Sequence, residues 1–176
     1  MLSAGRLNRW CNDLEKESPM RPTALDLPLA TRTAVIDLLQ PCLANLISLQ
    51  AVLKQAHWNV RGPQFISLHE LFDQLASQLA EPIDDVAERI VTLGGITRGT
   101  LRSVVQLNTL PDYPEATTDG LEIVRQLVRQ VAHVAAAVRK GVEQTTAQGD
   151  ADTADLLTGL SRELDKMLWF LEAHVS

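Results

Sequence analysis

The stretch Lys54–Gly95, KQAHWNVRGPQFISLHELFDQLASQLAEPIDDVAERIVTLGG, constrains this chain more than any other. It carries His57, His69, Asp73, Asp84 and Glu88. His69 and Asp73 stand four residues apart, as do Asp84 and Glu88, and side chains at that spacing share one helical face. From His69 to Asp84 the separation is 84 − 69 = 15 residues. At ~100° per residue this leaves only ~60° after whole turns, so all four side chains lie on one side of one helix. The two pairs are nevertheless ~22 Å apart along that helix, too far for one ion to touch both. A single site built from them needs a second copy of the helix running antiparallel beside the first. His69 and Asp73 of one subunit then face Asp84 and Glu88 of the other, on a two-fold axis.

The rest of the chain supplies a helical setting. Its 176 residues suit one domain with a sizeable core. They are 45% hydrophobic but only 4% aromatic, a leucine-, alanine- and valine-rich balance that favours helix packing over sheets. Residues 1–30 read as a tail, partly flexible, broken by Pro19, Pro22 and Pro28. Arg6–Glu17 has room for a short helix there. A first long helix is expected from about Thr31, with a seam of Leu39, Leu43, Leu46, Leu53 and His57 and Gln50 filling the gap. Pro41 should bend it. After a turn at Asn59–Pro63, a second helix is expected over Gln64–Leu93, ending at Gly94-Gly95. Its seam is Phe65, Leu68, Phe72, Leu75, Leu79, Val86 and Leu93, and Pro82 falls inside it. That proline deletes the bond to the Gln78 carbonyl and should disturb the placement of Asp84 and Glu88.

Residues 96–118 form a long connection with a short helix expected at Thr100–Leu107. Asp119 with Glu122 resembles a capping pair for a third helix, whose seam is Val124, Val128, Val131, Ala135, Val138 and Val142. Asp152 suits the N-cap of a fourth, with Leu157, Leu160, Leu164, Met167 or Leu168, and Leu171 on its seam. The fold class is therefore all-α. It is a ferritin-like four-helix bundle over residues 31–176, with a short extra helix in the long crossover between helices two and three.

Two imidazoles and three carboxylates suit a first-row metal such as iron, manganese or zinc. The di-iron site of a ferritin interior needs Glu-x-x-His, and no histidine here has Glu three residues before it. His69-Glu70 opens like a zinc-protease motif, but position 73 is Asp. For Asp84 and Glu88 alone, a solvated helix face is the plainer reading. Trp58 is expected in the core, with an indole beside a metal also able to donate electrons. Asp150, Asp152 and Asp155 read either as helix-start residues favoured by the dipole or, around a three-fold axis, as a cation-attracting ring. His133 and His174 read as structural or surface residues. The absence of a long apolar run predicts no signal peptide and no membrane span. Cys11 and Cys42 form neither a metal cluster nor a disulfide framework, which favours a cytosolic compartment.

At these residues the sequence resembles the Dps family, ferritin-like mini-cages that protect bacterial DNA during starvation. The likeness covers roughly residues 31–175. Its most specific pieces are His57-Trp58-Asn59-Val60, Leu68-His69-Glu70, Asp84 with Ala87-Glu88-Arg89 leading to Gly94-Gly95, and Asp165-Lys166 with Trp169-Phe170-Leu171-Glu172. The resemblance implies a homododecamer of tetrahedral symmetry with a ferroxidase centre shared by two subunits. It implies His57, His69 and Asp73 from one subunit and Asp84 and Glu88 from its partner as ligands, with Trp58 beside them. Iron is the metal it implies, with zinc able to occupy the same ligands. Fe(II) would be oxidised there, preferentially by hydrogen peroxide, and stored as ferric mineral, sparing DNA oxidative damage in a bacterial cytoplasm. Asp150, Asp152 and Asp155 resemble the pore through which iron reaches the cavity.

One departure bears on partners. The family's DNA-binding members often use a lysine-rich tail. Here Arg6, Arg9, Lys16 and Arg21 meet Asp13, Glu15, Glu17 and Asp26, so 4 − 4 = 0, on a chain of net charge −6. DNA binding is expected to be weak or absent. The competing readings are a DNA-compacting nucleoid protein with a secondary metal site, and a non-catalytic bundle whose acidic and histidine positions are merely surface.

Overall fold

The computed structural model describes residues 20–175. All the regular structure there is helical: α1 Leu29–Asn59, α2 Phe65–Gln78, α3 Ala80–Thr92, α4 Leu101–Leu107, α5 Gly120–Ala147 and α6 Ala151–Glu172. Helix α1 runs unbroken through Pro41 and begins two residues before the expected Thr31. Its buried face includes Leu39, Leu43, Leu46, Leu49 and Leu53. Leu49, not Gln50, fills the gap in the seam; Gln50 is half-buried and donates to the Ala76 carbonyl across the α1–α2 contact at 3.1 Å. α1 is also long and apolar enough to cross a membrane by length and composition, with half of that stretch buried against the rest of the chain.

The expected second helix is two. The chain leaves α2 at Gln78, passes through Leu79 (φ −78°, ψ −12°) and restarts at Ala80. Pro82 is the cause: it cannot donate to the Gln78 carbonyl, so the ladder lapses one turn before it. Leu68, Phe72, Leu75, Leu79, Val86 and Leu93 are all fully buried as the periodicity requires. Phe65 is not; it is 45% exposed at the first turn. The helix stop falls at Gly94, as expected. Gly94 has φ +95°, and its amide and that of Gly95 close back onto the carbonyls of Val91 and Ile90, both at 2.9 Å.

The crossover helix α4 is capped by Thr100, whose hydroxyl accepts from the Ser103 amide at 3.4 Å, and it packs on α1. Asp119 caps α5 by accepting from the Glu122 amide at 3.0 Å. Glu122 does not return the favour; its carboxylate takes Gln126 and Arg125 instead. The α5 seam holds, with Val124, Val131, Ala135 and Val138 buried and Val128 and Val142 packed at its margin. The α6 seam of Leu157, Leu160, Leu164, Met167 and Leu171 is buried throughout. α5 and α6 form the most extensive helix pair, while α1 packs against α2, α3 and α5. Residues 20–28 are extended and lie against the end of α3, where the Arg21 amide donates to the Gly94 carbonyl at 2.7 Å. The short helix expected at Arg6–Glu17 lies outside the described residues.

Candidate metal centre

The last turn of α1 and the first turns of α2 bring His57 and His69 together. Their rings stack with centroids 3.7 Å apart and planes 22° apart, and Phe65 lies on the outer side of His69 at 5.1 Å. The two histidines hold each other reciprocally. His57 Nδ1 donates to the His69 carbonyl at 2.7 Å, and His69 Nδ1 donates to the His57 carbonyl at 2.8 Å. A carbonyl oxygen can only accept, so both Nδ1 atoms carry the proton. In the neutral rings both Nε2 atoms then keep their lone pairs. This is the arrangement in which a backbone carbonyl fixes the tautomer of a metal-ligating imidazole.

Asp73 lies one turn further along α2 and is half-exposed. Lys54 of α1 reaches its Oδ1 at 2.5 Å. That hydrogen bond, aided by the nearby positive charges, holds the Asp73 carboxyl below its ordinary value. Asp84 and Glu88 sit on α3, both exposed. Among the described residues no three His, Cys, Asp or Glu side chains of this chain come within reach of one ion. The five candidate residues thus divide as their helical spacing requires: the imidazole pair with Asp73 one turn away on α2, and two exposed carboxylates on α3.

Trp58 is corrected from core to surface. Its indole is 67% exposed beside the histidine pair, with Lys54 Nζ 6.0 Å from its ring. Ile66, 61% exposed, adds to the apolar surface around Phe65. An exposed tryptophan among exposed apolar neighbours makes this an apolar patch of the kind found at interaction surfaces.

The three aspartates do not act alike. Asp150, not Asp152, is the N-cap of α6: its Oδ1 accepts from the Thr153 amide at 3.0 Å and its Oδ2 from the Thr153 hydroxyl at 2.6 Å. Arg89 of α3 donates to the same Oδ1 at 2.7 Å, and Asp150 is 2% exposed. Its carboxylate is spent inside the subunit, so it presents no charge to a channel. Asp152 and Asp155 remain exposed. His133 is exposed and meets the Thr109 hydroxyl at 3.1 Å, and His174 is exposed at the C-terminal end, so neither joins the centre.

Two participants have no role in the sequence reading, although Arg89 lies within its quoted Ala87-Glu88-Arg89 run. Lys54 precedes His57 by three residues and so shares its face of α1, a signal that points to it. The pairing of Arg89 has no spacing signal, because its partners Asp150 and Thr153 lie on another helix.

A bundle with one long crossover and paired carboxylate and imidazole positions defines a ferritin-like protein. The family model of the ferritin-like domain matches residues 36–176. A DNA protection during starvation protein from Agrobacterium fabrum is 44% identical over 153 residues, covering 87% of this chain and 94% of that one. Among solved structures, DpsC from Streptomyces coelicolor superposes with a TM-score of 0.85 at 30% identity, covering 89% of this chain and 92% of that one. Dps from Mycobacterium smegmatis gives 0.82 at 34% identity, covering 87% and 93%. The chain belongs to the Dps family.

Proposed function

We propose that this protein is a ferroxidase and iron store, working as a dodecameric cage in the bacterial cytoplasm. The observation that carries this reading is the locked histidine pair. His57 and His69 hold two lone-pair nitrogens at the surface, beside Asp73 and an exposed apolar rim, and no further ligand from the same chain completes the set among the described residues. Asp84 and Glu88 of a second copy, offered from an antiparallel α3, supply hard oxygen donors that suit Fe(II) together with imidazole nitrogen. Trp58 borders the centre and is available as an electron donor.

Fe(II) is the substrate. Each Fe(II) gives up one electron, and hydrogen peroxide takes two as its O–O bond breaks. The Fe(III) formed hydrolyses to oxyhydroxide and releases protons. Both reagents of hydroxyl-radical chemistry are consumed together, which is how such a centre protects DNA. Asp73 and the carboxylates of the second copy hold the ion and offset its charge. The exposed Asp152 and Asp155 concentrate cations where iron would enter. Zinc fits the same donors and would inhibit by occupying them.

The test is rapid mixing of the purified, assembled protein with Fe(II) and either hydrogen peroxide or oxygen, alongside light scattering for mass. Fast peroxide-driven oxidation in a particle of about twelve subunits is expected. A monomer with full activity would overturn the shared centre. The net charge of −6 and the neutral tail argue against DNA compaction as the main role. A gel-shift assay at physiological salt should accordingly show little binding.

A further inference from the structure

We infer that Arg89 is the positioning residue for Asp84 and Glu88, an inference that rests on the reading of those two as metal ligands. α3 is loosely founded at its start. It begins after the break at Leu79, has no side-chain cap there, and lacks the bond that Pro82 removes. Within α3 the buried residues are Pro82, Val86 and Ile90, at spacings of four. Ile83 and Ala87 pack at the margin of this stripe, and such an apolar face resists translation away from the core more than it resists a small roll about its own line. A roll would swing Asp84 and Glu88 together, since they share one face.

Arg89 supplies the missing constraint. Its Nη2 donates to Asp150 Oδ1 at 2.7 Å and its Nε to the Thr153 hydroxyl at 2.8 Å. Thr153 in turn donates to Asp150, closing a ring of three side chains. Asp150 is 2% exposed and Thr153 0%, so water competes little for these bonds. The planar guanidinium is held at two nitrogens, which fixes orientation as well as distance. Arg89 follows Glu88 directly, so fixing the rotation of residue 89 fixes that of the ligand beside it. The anchor is the N-terminus of α6, a different helix from those that carry the histidines. The clamp therefore sets the carboxylate half of the centre independently of the imidazole half.

The test uses full-length assembled protein titrated with Co(II) alone, read by its visible absorption. Arg89→Lys keeps the charge on a single donor nitrogen but loses the fork. It should weaken Co(II) binding roughly tenfold, as loss of an orienting partner does, and change the band shape. Thr153→Val removes one of the two bonds of Arg89, together with the Thr153–Asp150 bond, and should weaken it less because the Arg89–Asp150 pair survives. Val131→Ala, a core truncation in α5, should lower the melting temperature without altering Co(II) affinity. The deciding comparison is a cycle with Glu88→Gln. If Arg89 acts through Glu88, adding Arg89→Lys to Glu88→Gln should cost little further affinity. Parent-like binding in assembled Arg89→Lys and Thr153→Val overturns the inference, as does full additivity in the cycle. Unchanged Co(II) affinity in Glu88→Gln alone would instead overturn the ligand assignment. Should Arg89→Lys fail to assemble, Thr153→Val and its cycle with Glu88→Gln decide the matter.

Discussion

Lys54 Nζ lies 2.5 Å from Asp73 Oδ1, joining α1 to α2 beside the histidine pair. In the proposed centre the ammonium would compete with an incoming ion for the charge of this carboxylate. The pair is part-exposed, which makes displacement easy.

Lys54→Met should therefore raise affinity for a divalent ion, measured by Co(II) titration, and should return the Asp73 carboxyl towards its ordinary value. The sign is set by the lowered carboxyl. A depressed folded-state value stabilises the fold above the unfolded value and is lost as pH falls through the folded one. The parent should thus retain the Lys54–Asp73 contribution at neutral pH and lose it only below the ordinary carboxylate range. Carboxyl-detected NMR titration of Asp73 checks this; an unmoved midpoint in Lys54→Met would show that the lysine is not its cause.

The division of the proposed ligands between two places predicts complementation. His69→Ala and Glu88→Gln homo-oligomers should each lose peroxide-driven Fe(II) oxidation. Reassembled mixtures should regain part of it, because some pairs of chains then contain one intact centre and one doubly damaged centre. The readout is initial rate against mixing ratio. No recovery at any ratio, with mixed assembly verified by mass, would place all the ligands within one chain.

The three acidic residues near the start of α6 should separate cleanly. Asp150→Ala strips the cap and leaves Arg89 buried without its partner, a loss of about 3–5 kcal/mol. It should show as a lowered melting temperature. Asp152→Asn with Asp155→Asn should leave melting unchanged and slow iron uptake, an effect that fades with added salt. Equal melting of Asp150→Ala and the parent would contradict the buried clamp.

Helical period alone makes the seams of α2, α3, α5 and α6 legible in the chain, because a buried stripe must repeat every three or four residues. Periodicity does not say whether Trp58 and Phe65 face a core or another protein, since apolar surface awaiting a partner carries the same pattern. Nor does it choose between Asp150 and Asp152 as the cap. In the run Asp150-Ala151-Asp152-Thr153-Ala154-Asp155 both precede apolar helix, and the structure selects the first through its bonds to Thr153 and to Arg89 of α3. Contacts across helices, Lys54 to Asp73 and Arg89 to Asp150, depend on how helices rotate against each other, which no local spacing records.

Gly94→Ala should destabilise the fold markedly. The residue has φ +95°, and an added Cβ would lie 2.7 Å from the Arg21 carbonyl oxygen and 3.1 Å from Arg32 Nη1. The backbone penalty alone is about 1–2 kcal/mol. Displacement of residues 20–28 from the end of α3 should add to it. Thermal melting measures the total, and proteolysis between Met20 and Pro28 should accelerate in the variant.

The crossed hydrogen bonds of His57 and His69 carry a thermodynamic consequence. Ordering a flexible side chain at the moment of binding costs about 0.5–1.5 kcal/mol. Here both imidazoles are oriented when the α1–α2 turn folds, so for the proposed centre that cost is met before iron arrives. The nitrogen half would exist complete in each subunit, and association would deliver only the oxygen half. Iron capture would then report on assembly rather than on local folding, and a subunit still waiting for its neighbour would have no means of turning over peroxide.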